Sequence, residues 1–490
     1  MNVPFAEVRE THSGVVFLYG DRAYKTKKPV KTPFLDFSST AQRDAACIRE
    51  IALNRRLAPD AYLGLGHLTS PERDPEPVVV MRRMPEDTKL TRRLDDTTAV
   101  KVINQLARMI ARFHQTAQRS DVIDQDATPS AVLNRWQQNI AELGDLCPNP
   151  DDLALAHQIG LLCDHYLRGR GVLLADRIRT RRIVDGHGDL LTDDIFCLPD
   201  GPRILDCLDF DDRLRYVDGI DDAAFLAMDI EFHGHRALAD EFLTAYRQAG
   251  NDDAPTSLID HYIAYRAVVR AKVDMIRANQ GVPTAHDDAH RHLRLAREHL
   301  LSGQVRLAIV GGLPGTGKTT VATELARSVD AVMLSSDIVR RELVGAGVIA
   351  GAPGKYGEGL YSPANKAIVY GSMFEQAKTH LFMGRSVVLD GSWIDPEERR
   401  FAATVAADTS SVLVEMRCVV DKETADQRIA GRLHSPSDAT PAIAHSMAED
   451  VVDDRSWQGV AHIDTSKVLR DSVNEAARVW TAATIPVLAP

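Results

Sequence analysis

No run in the 490 residues approaches eighteen consecutive apolar side chains, so no segment reads as a membrane-spanning helix and no membrane partner is expected. The opening Met1-Asn2-Val3-Pro4-Phe5-Ala6-Glu7 has neither the basic region nor the apolar core of a secretory signal, and a cytoplasmic location is the expectation. Six cysteines (Cys47, Cys147, Cys163, Cys197, Cys207, Cys418) are scattered without CxxC spacing. That pattern excludes a disulfide framework or a cysteine zinc site and reads as reduced core thiols. Positive charge is also short, with 58 Lys+Arg against 69 Asp+Glu and a net charge of −11. The deficit falls on both ends of the chain: residues 304–490 carry −4 and the remainder −7. Holding a polynucleotide by its backbone needs a basic footprint, so nucleic acid is not an expected partner. Internal repeats and low-complexity tracts are absent as well.

What is present is more informative. The length exceeds what one hydrophobic core serves and suggests about two to four folding units. Gly312-Leu313-Pro314-Gly315-Thr316-Gly317-Lys318-Thr319 is a complete GxxxxGK[ST] loop. It follows the apolar run Val305 to Val310 and precedes the helix-forming Thr320 to Ala326, the strand–turn–helix context the motif requires. Glycines let backbone N–H groups close around phosphate oxygens, Lys318 reaches the β- and γ-phosphates, and the Thr319 hydroxyl ligates Mg²⁺. Gly312, Gly315, Thr316, Gly317, Lys318, Thr319 and Thr320 are therefore the expected nucleotide-binding residues, with ATP and Mg²⁺ as cofactors.

The first eighty-five residues read as short strands (15–18, 23–26, 78–81) around one helix, 41–57. After Pro85 the apolar periodicity turns helical over 99–116, 153–167, 236–248 and 258–278. A β-rich lobe followed by a helical lobe predicts a two-lobed α+β protein-kinase-like fold over 1–295, split into a small lobe 1–85 and a helical lobe 86–295. Residues 296–304 read as a linker. From 305 to 490, strands at 306–310, 331–335, 386–390 and 411–420 alternate with helices, predicting an α/β doubly wound parallel sheet.

Phosphoryl transfer to a hydroxyl needs a carboxylate to orient it and take its proton, and further carboxylates to hold Mg²⁺. Asp185-Gly186-His187-Gly188-Asp189, then Asp194 and Ile204-Leu205-Asp206, supply three carboxylates at suitable spacing. Here the chain resembles the aminoglycoside phosphotransferase family, with its HGDxxxxN loop and later Asp. The resemblance implies Asp189 as catalytic base and Asp206 as principal metal ligand, with Asp194 standing where the family has a metal-binding Asn. It further implies that Lys25 reaches the α- and β-phosphates, that Glu50 pairs with it, and that Met81 to Met84 forms an adenine hinge in which Met84 takes part. Lys27 shares a strand face with Lys25 and is the alternative phosphate-reaching lysine. The loop Thr11-His12-Ser13-Gly14 would cover the phosphates with a single glycine.

In the C-terminal part, Asp337 follows a strand, where ligands bind in open α/β sheets, and Arg340 comes one turn later. Asp337 is the expected base and Arg340 the expected holder of a substrate phosphate or carboxylate. Val387-Val388-Leu389-Asp390 ends an apolar strand in an acid, the candidate Mg²⁺ ligand. Arg428 and Arg432 sit four apart on a predicted helix and are candidates for a lid over the transferring phosphate. Residues 305–470 resemble small P-loop kinases such as the gluconate kinase, zeta-toxin and polynucleotide 5′-kinase group. His286-Asp287-Asp288-Ala289-His290 imitates a zinc helix without an evident third ligand, so no metal is expected there. The expectation is a bifunctional ATP-dependent kinase acting on hydroxyls of small molecules. Its rival makes the N-terminal domain a nucleotide-sensing module beside a single catalytic P-loop kinase.

Overall fold

The structure, a computed structural model, describes residues 6–10, 14–31, 36–70, 73–352, 356–431, 440–449, 457 and 460–485. Two compact units make up the chain, each assembled from three stretches. The first comprises Met1–Ala156, Leu174–Ala254 and His261–Ala296; the second comprises His157–Leu173, Pro255–Asp260 and Arg297–Pro490.

The first unit opens with five strands, β1 (Ala6–Glu10), β2 (Gly14–Tyr19), β3 (Arg22–Lys27), β4 (Tyr62–Ser70) and β5 (Arg73–Arg82), in one antiparallel sheet of order β1-β2-β3-β5-β4. Between β3 and β4 runs helix α1 (Thr40–Asn54), started by a reciprocal capping box between Ser39 and Gln42. Arg43, Cys47, Glu50, Ile51 and Asn54 recur at helical spacing on its buried face, which puts a carboxylate among apolar neighbours. The strands pair tightly through β3, whose Lys25 lies opposite Val16 on β2 and Val79 on β5.

Helices dominate the rest of this unit. Ala99–Thr116 packs on Arg236–Gly250, and Gly219–Phe232 is buried around almost its whole circumference. Two small ribbons interrupt them: β6 (Ile183–Asp185) with β9 (Tyr216–Asp218), and β7 (Ile195–Leu198) with β8 (Gly201–Ile204), both antiparallel. The loop between β6 and β7 carries Asp189 and Asp194, and β8 delivers Asp206 two residues beyond its end.

In the second unit, β10 (Arg306–Gly311), β11 (Val332–Ser335), β12 (Val387–Asp390), β13 (Val412–Val419) and β14 (Ala461–Asp464) form an all-parallel sheet of order β11-β12-β10-β13-β14. β10 is central and buried along its length, as a strand covered by helices on both faces must be. Ala308, Val310, Val388, Val414, Met416 and Ile463 meet Val321, Leu325 and Trp480 in the core. Chain order reverses at β10, so the crevice at its carboxyl end is the ligand position of a doubly wound sheet. The earlier segments of this unit bind the turns that lead into β12 and β13. Arg170 donates to Thr409 O at 2.6 Å and Ser410 O at 3.1 Å, and Ser257 Oγ donates to Gly384 O at 2.7 Å.

Among the described residues no helix is long and apolar enough to cross a membrane.

Candidate active sites

The N-terminal site is built around one buried carboxylate. Glu50, 1% exposed, gives Oε1 to Lys25 Nζ at 2.9 Å and Oε2 to Lys27 Nζ at 2.7 Å. Lys25 also reaches Asp206 Oδ1 at 2.8 Å, and Lys27 reaches Asp209 Oδ2 at 2.7 Å. The two lysines, period-two neighbours on β3, thus share Glu50 and divide the segment after β8 between them. Lys25 holds the Asp206 carboxyl below the usual range. Burial opposes the Lys25 charge, yet Asp206 and Glu50 keep its ammonium well above the ordinary value.

Asp206 adopts φ +61°, a left-handed conformation uncommon for a non-glycine residue. Neighbouring contacts fix it there: Leu205 N donates to Asp194 O at 2.9 Å, and Cys207 N donates to Asn54 Oδ1 at 2.8 Å. Burial pushes the Asp189 carboxyl up to about 6, opposed by Arg270 and reinforced by Asp206. Asp194 is driven well above the carboxylate range by burial, with Asp206 and Asp189 adding to it. A divalent cation would relieve that crowding of like charges.

The loop itself is held by groups far away in sequence. Asp222 accepts from His187 N at 2.7 Å and Gly188 N at 2.9 Å, and lies 3.0 Å from His114 Nε2. Burial opposes its charge, but the His114 contact and these N–H donors hold Asp222 below the usual range. Arg266 bridges Asp221, at 2.7 and 3.0 Å, and Gly188 O at 3.3 Å. Met84 is buried in one cluster with Ala23, Met81, Phe196 and Leu205. Thr11, His12 and Ser13 lie outside the described residues.

In the C-terminal site the loop leaves β10 through three glycines with positive φ: Gly312 (+142°), Gly315 (+85°) and Gly317 (+80°). A Cβ on Gly315 would stand 2.5 Å from Ala425 O, and one on Gly312 would stand 2.6 Å from Thr316 Oγ1. Only glycine fits either place. The helix Lys318–Ser328 starts at Gly317 with no side-chain cap, leaving its first N–H groups and its positive end to an anion. Thr319 Oγ1 donates to Asp390 Oδ2 at 2.9 Å, as does Ser335 Oγ at 3.0 Å. Asp390 is 3% exposed, burial raises its carboxyl pKa against the pull of Lys318, and Oδ1 has no hydrogen-bond partner. A buried carboxylate with one idle oxygen beside a P-loop hydroxyl fits a cation ligand.

Asp337 and Arg340 meet at 2.6 Å and line one cavity with Lys318. Thr320 is exposed in the first helical turn. Arg428 reaches Thr465 O at 2.8 Å, and Thr465 Oγ1 donates to Thr316 O at 2.7 Å, so this arginine is tied to the loop. Arg432 lies outside the described residues. His286 and His290 both meet the buried Asp152, at 3.2 and 2.6 Å. Among the described residues no group of three or more His, Cys, Asp or Glu is placed to hold a metal ion.

The chain has relatives among known proteins. It is 48% identical over 482 residues, 98% of its length and 96% of theirs, to Uncharacterized protein Rv2004c of Mycobacterium tuberculosis (strain ATCC 25618 / H37Rv) and Uncharacterized protein Mb2027c of Mycobacterium bovis. The chain belongs to their family. A model described as an AAA domain matches residues 307–451, the P-loop part. Among solved structures, a gluconokinase from Sinorhizobium meliloti 1021 is 14% identical, covering 36% of this chain and 91% of that one, with TM-score 0.28. The GDP and kanamycin complex of APH(2″)-IIia is 16% identical, covering 61% and 94%, with TM-score 0.40. The AAA-domain match falls within the second unit, and the first unit lies outside it. The β1–β5 sheet with its Lys25–Glu50 pair marks the first, and the β11-β12-β10-β13-β14 sheet with its loop marks the second.

Proposed function

We propose that the protein is a cytoplasmic, bifunctional phosphotransferase with two Mg·ATP sites, each moving a γ-phosphate to a hydroxyl of a small molecule. One observation carries the reading most directly. A P-loop lysine and threonine, the half-satisfied Asp390 and the Asp337–Arg340 pair converge at the end of one parallel sheet. Mg·ATP bound there supplies the transferable phosphoryl group with its charge neutralised. Thr319 and Asp390 would hold the cation, and the loop N–H groups with Lys318 the phosphates. Asp337 takes the proton of the acceptor hydroxyl. The acceptor oxygen then bonds to the γ-phosphorus while the bond to the β–γ bridging oxygen breaks, and ADP leaves with that electron pair.

In the N-terminal unit Asp189 plays the base, Asp206 and Asp194 hold the cation, and Lys25 exchanges Asp206 for phosphate oxygens while Lys27 keeps Glu50 compensated. A second reading has a specific observation behind it. Asp194 carries a carboxyl where an amide would not crowd Asp189 and Asp206, which favours a site that binds nucleotide without transferring phosphate. Equilibrium titration with a fluorescent ATP analogue and Mg²⁺ tests the two-site reading: wild type should bind two equivalents, and Lys25→Met and Lys318→Ala one each. One equivalent in wild type, lost with Lys318→Ala, would restrict the chemistry to the P-loop unit. For the second reading, turnover gained on Asp194→Asn would mark the native N-terminal site as a binding site.

A further inference from the structure

The cavity beside the P-loop has walls of two kinds. Tyr356, Tyr361 and Tyr370 contribute three rings to its lining, with Ile394, Ile443 and Met447. Tyr370 is buried and set edge-on against Trp393, with centroids 5.0 Å apart and planes at 88°, which fixes that ring. Arg340, 7% exposed, lines the same cavity. One of its Nη atoms donates to Asp337, and its guanidinium lies over the Tyr361 ring at 4.4 Å. Its Nε is buried with no hydrogen-bond partner. A guanidinium has five donors in a fixed fork, and leaving one buried and idle is costly, so an oxyanion accepting from it would relieve that cost. Lys366 borders the same cavity with its Nζ 3.0 Å from Glu398 Oε1.

Resting on the P-loop kinase reading above, we propose that the acceptor of the C-terminal unit is an aromatic, hydroxyl-bearing oxyanion, either a carboxylate or a phosphate monoester. Its ring packs against the tyrosine wall, its oxyanion accepts from the idle Nε of Arg340 with Lys366 nearby, and its hydroxyl falls to Asp337. Asp337 and the oxyanion accept from different nitrogens of one guanidinium, so a single residue sets the spacing between charge and reacting oxygen. A neutral ring leaves the arginine donor idle. A polyol acid such as gluconate satisfies the arginine but leaves the aromatic wall uncovered.

The experiment is a saturation-transfer NMR competition on the full chain with Mg²⁺ and a non-hydrolysable ATP analogue. The probes are 4-(hydroxymethyl)benzoate, 4-(hydroxymethyl)phenyl phosphate, the neutral 4-(hydroxymethyl)benzamide and gluconate. The oxyanionic rings should bind about 10- to 100-fold more tightly than the benzamide, the range of a charge-assisted contact. They should also outcompete gluconate, and the tighter of the two names the oxyanion. Arg340→Lys, which keeps charge and loses the fork, should abolish the preference for oxyanion over benzamide, and the half-exposed Lys366→Met should weaken it. Equal binding of benzamide and benzoate, stronger binding of gluconate, or a preference untouched by both variants overturns the proposal. So does failure of every aromatic probe to bind while a fluorescent ATP analogue still binds through Lys318. If Lys318→Ala leaves the number of bound ATP-analogue equivalents unchanged, it is the P-loop reading that falls.

Discussion

Glu50 concentrates more consequence than any other side chain in the N-terminal unit. It neutralises two lysines at once while 1% exposed, and removing one member of a buried ionic cluster strands the charges that remain. Glu50→Gln is expected to cost about 3–5 kcal/mol of stability, read as a lowered midpoint in urea. Asp189 yields a prediction of another sort. Its carboxyl is raised to about 6, so its base form is present above that value and lost as the pH falls through it. Phosphate transfer at the N-terminal site should therefore decline on the acid side of about 6, and a pH–rate profile flat between 5 and 8 would remove Asp189 from the role. The signature residues of this site stood out in the sequence because Asp189, Asp194 and Asp206 fall within eighteen positions of one another. Asp222, His114 and Arg266, which hold the loop, did not. They lie 34 to 108 residues from their partners, and an Asp inside a helix has no pattern of its own.

Among the elements, those with local grammar were readable and those defined by their neighbours were not. The P-loop is local: strand, glycines and helix follow one another, and predicted 306–310 became Arg306–Gly311. The amphipathic helix at 99–116 was legible for the same reason, since one face is apolar and the other charged. β1, with the sequence Ala-Glu-Val-Arg-Glu, offers almost no apolar alternation and exists because β2 pairs with it. β4 carries Gly64 and Gly66 and a bulge, both of which blur a strand pattern. Gly219–Phe232 is buried on all sides and so shows no face. The P-loop glycines allow a direct test. Gly315→Ala demands a left-handed alanine with its Cβ 2.5 Å from Ala425 O. It should abolish nucleotide binding at this site and lower the thermal midpoint, whereas Gly345→Ala, with open space around it, should do neither.

At the scale of the whole molecule, the second unit is gathered from three separated stretches of chain. Gly169 shows how closely they fit, since a Cβ there would lie 2.2 Å from Thr409 O, and one on Gly384 would lie 2.8 Å from Ser257 Oγ. Gly169→Ala in the full chain should destabilise by more than about 2 kcal/mol, in the class of substitutions that force backbone to move, while Gly171→Ala, with nothing near it, should stay within about 0.5 kcal/mol. Equal effects of the two would mean that the early segment does not hold the sheet. This assembly also carries a timetable. Arg170 and the carbonyl it serves at Thr409 are 239 residues apart. At a synthesis rate of about 5–20 residues per second, a ribosome needs roughly 12–48 s to deliver one after the other. For that interval the first-made segment waits with a guanidinium and a close-fitting glycine shaped for a partner not yet translated, so the P-loop unit can complete itself only after Thr409 has been made.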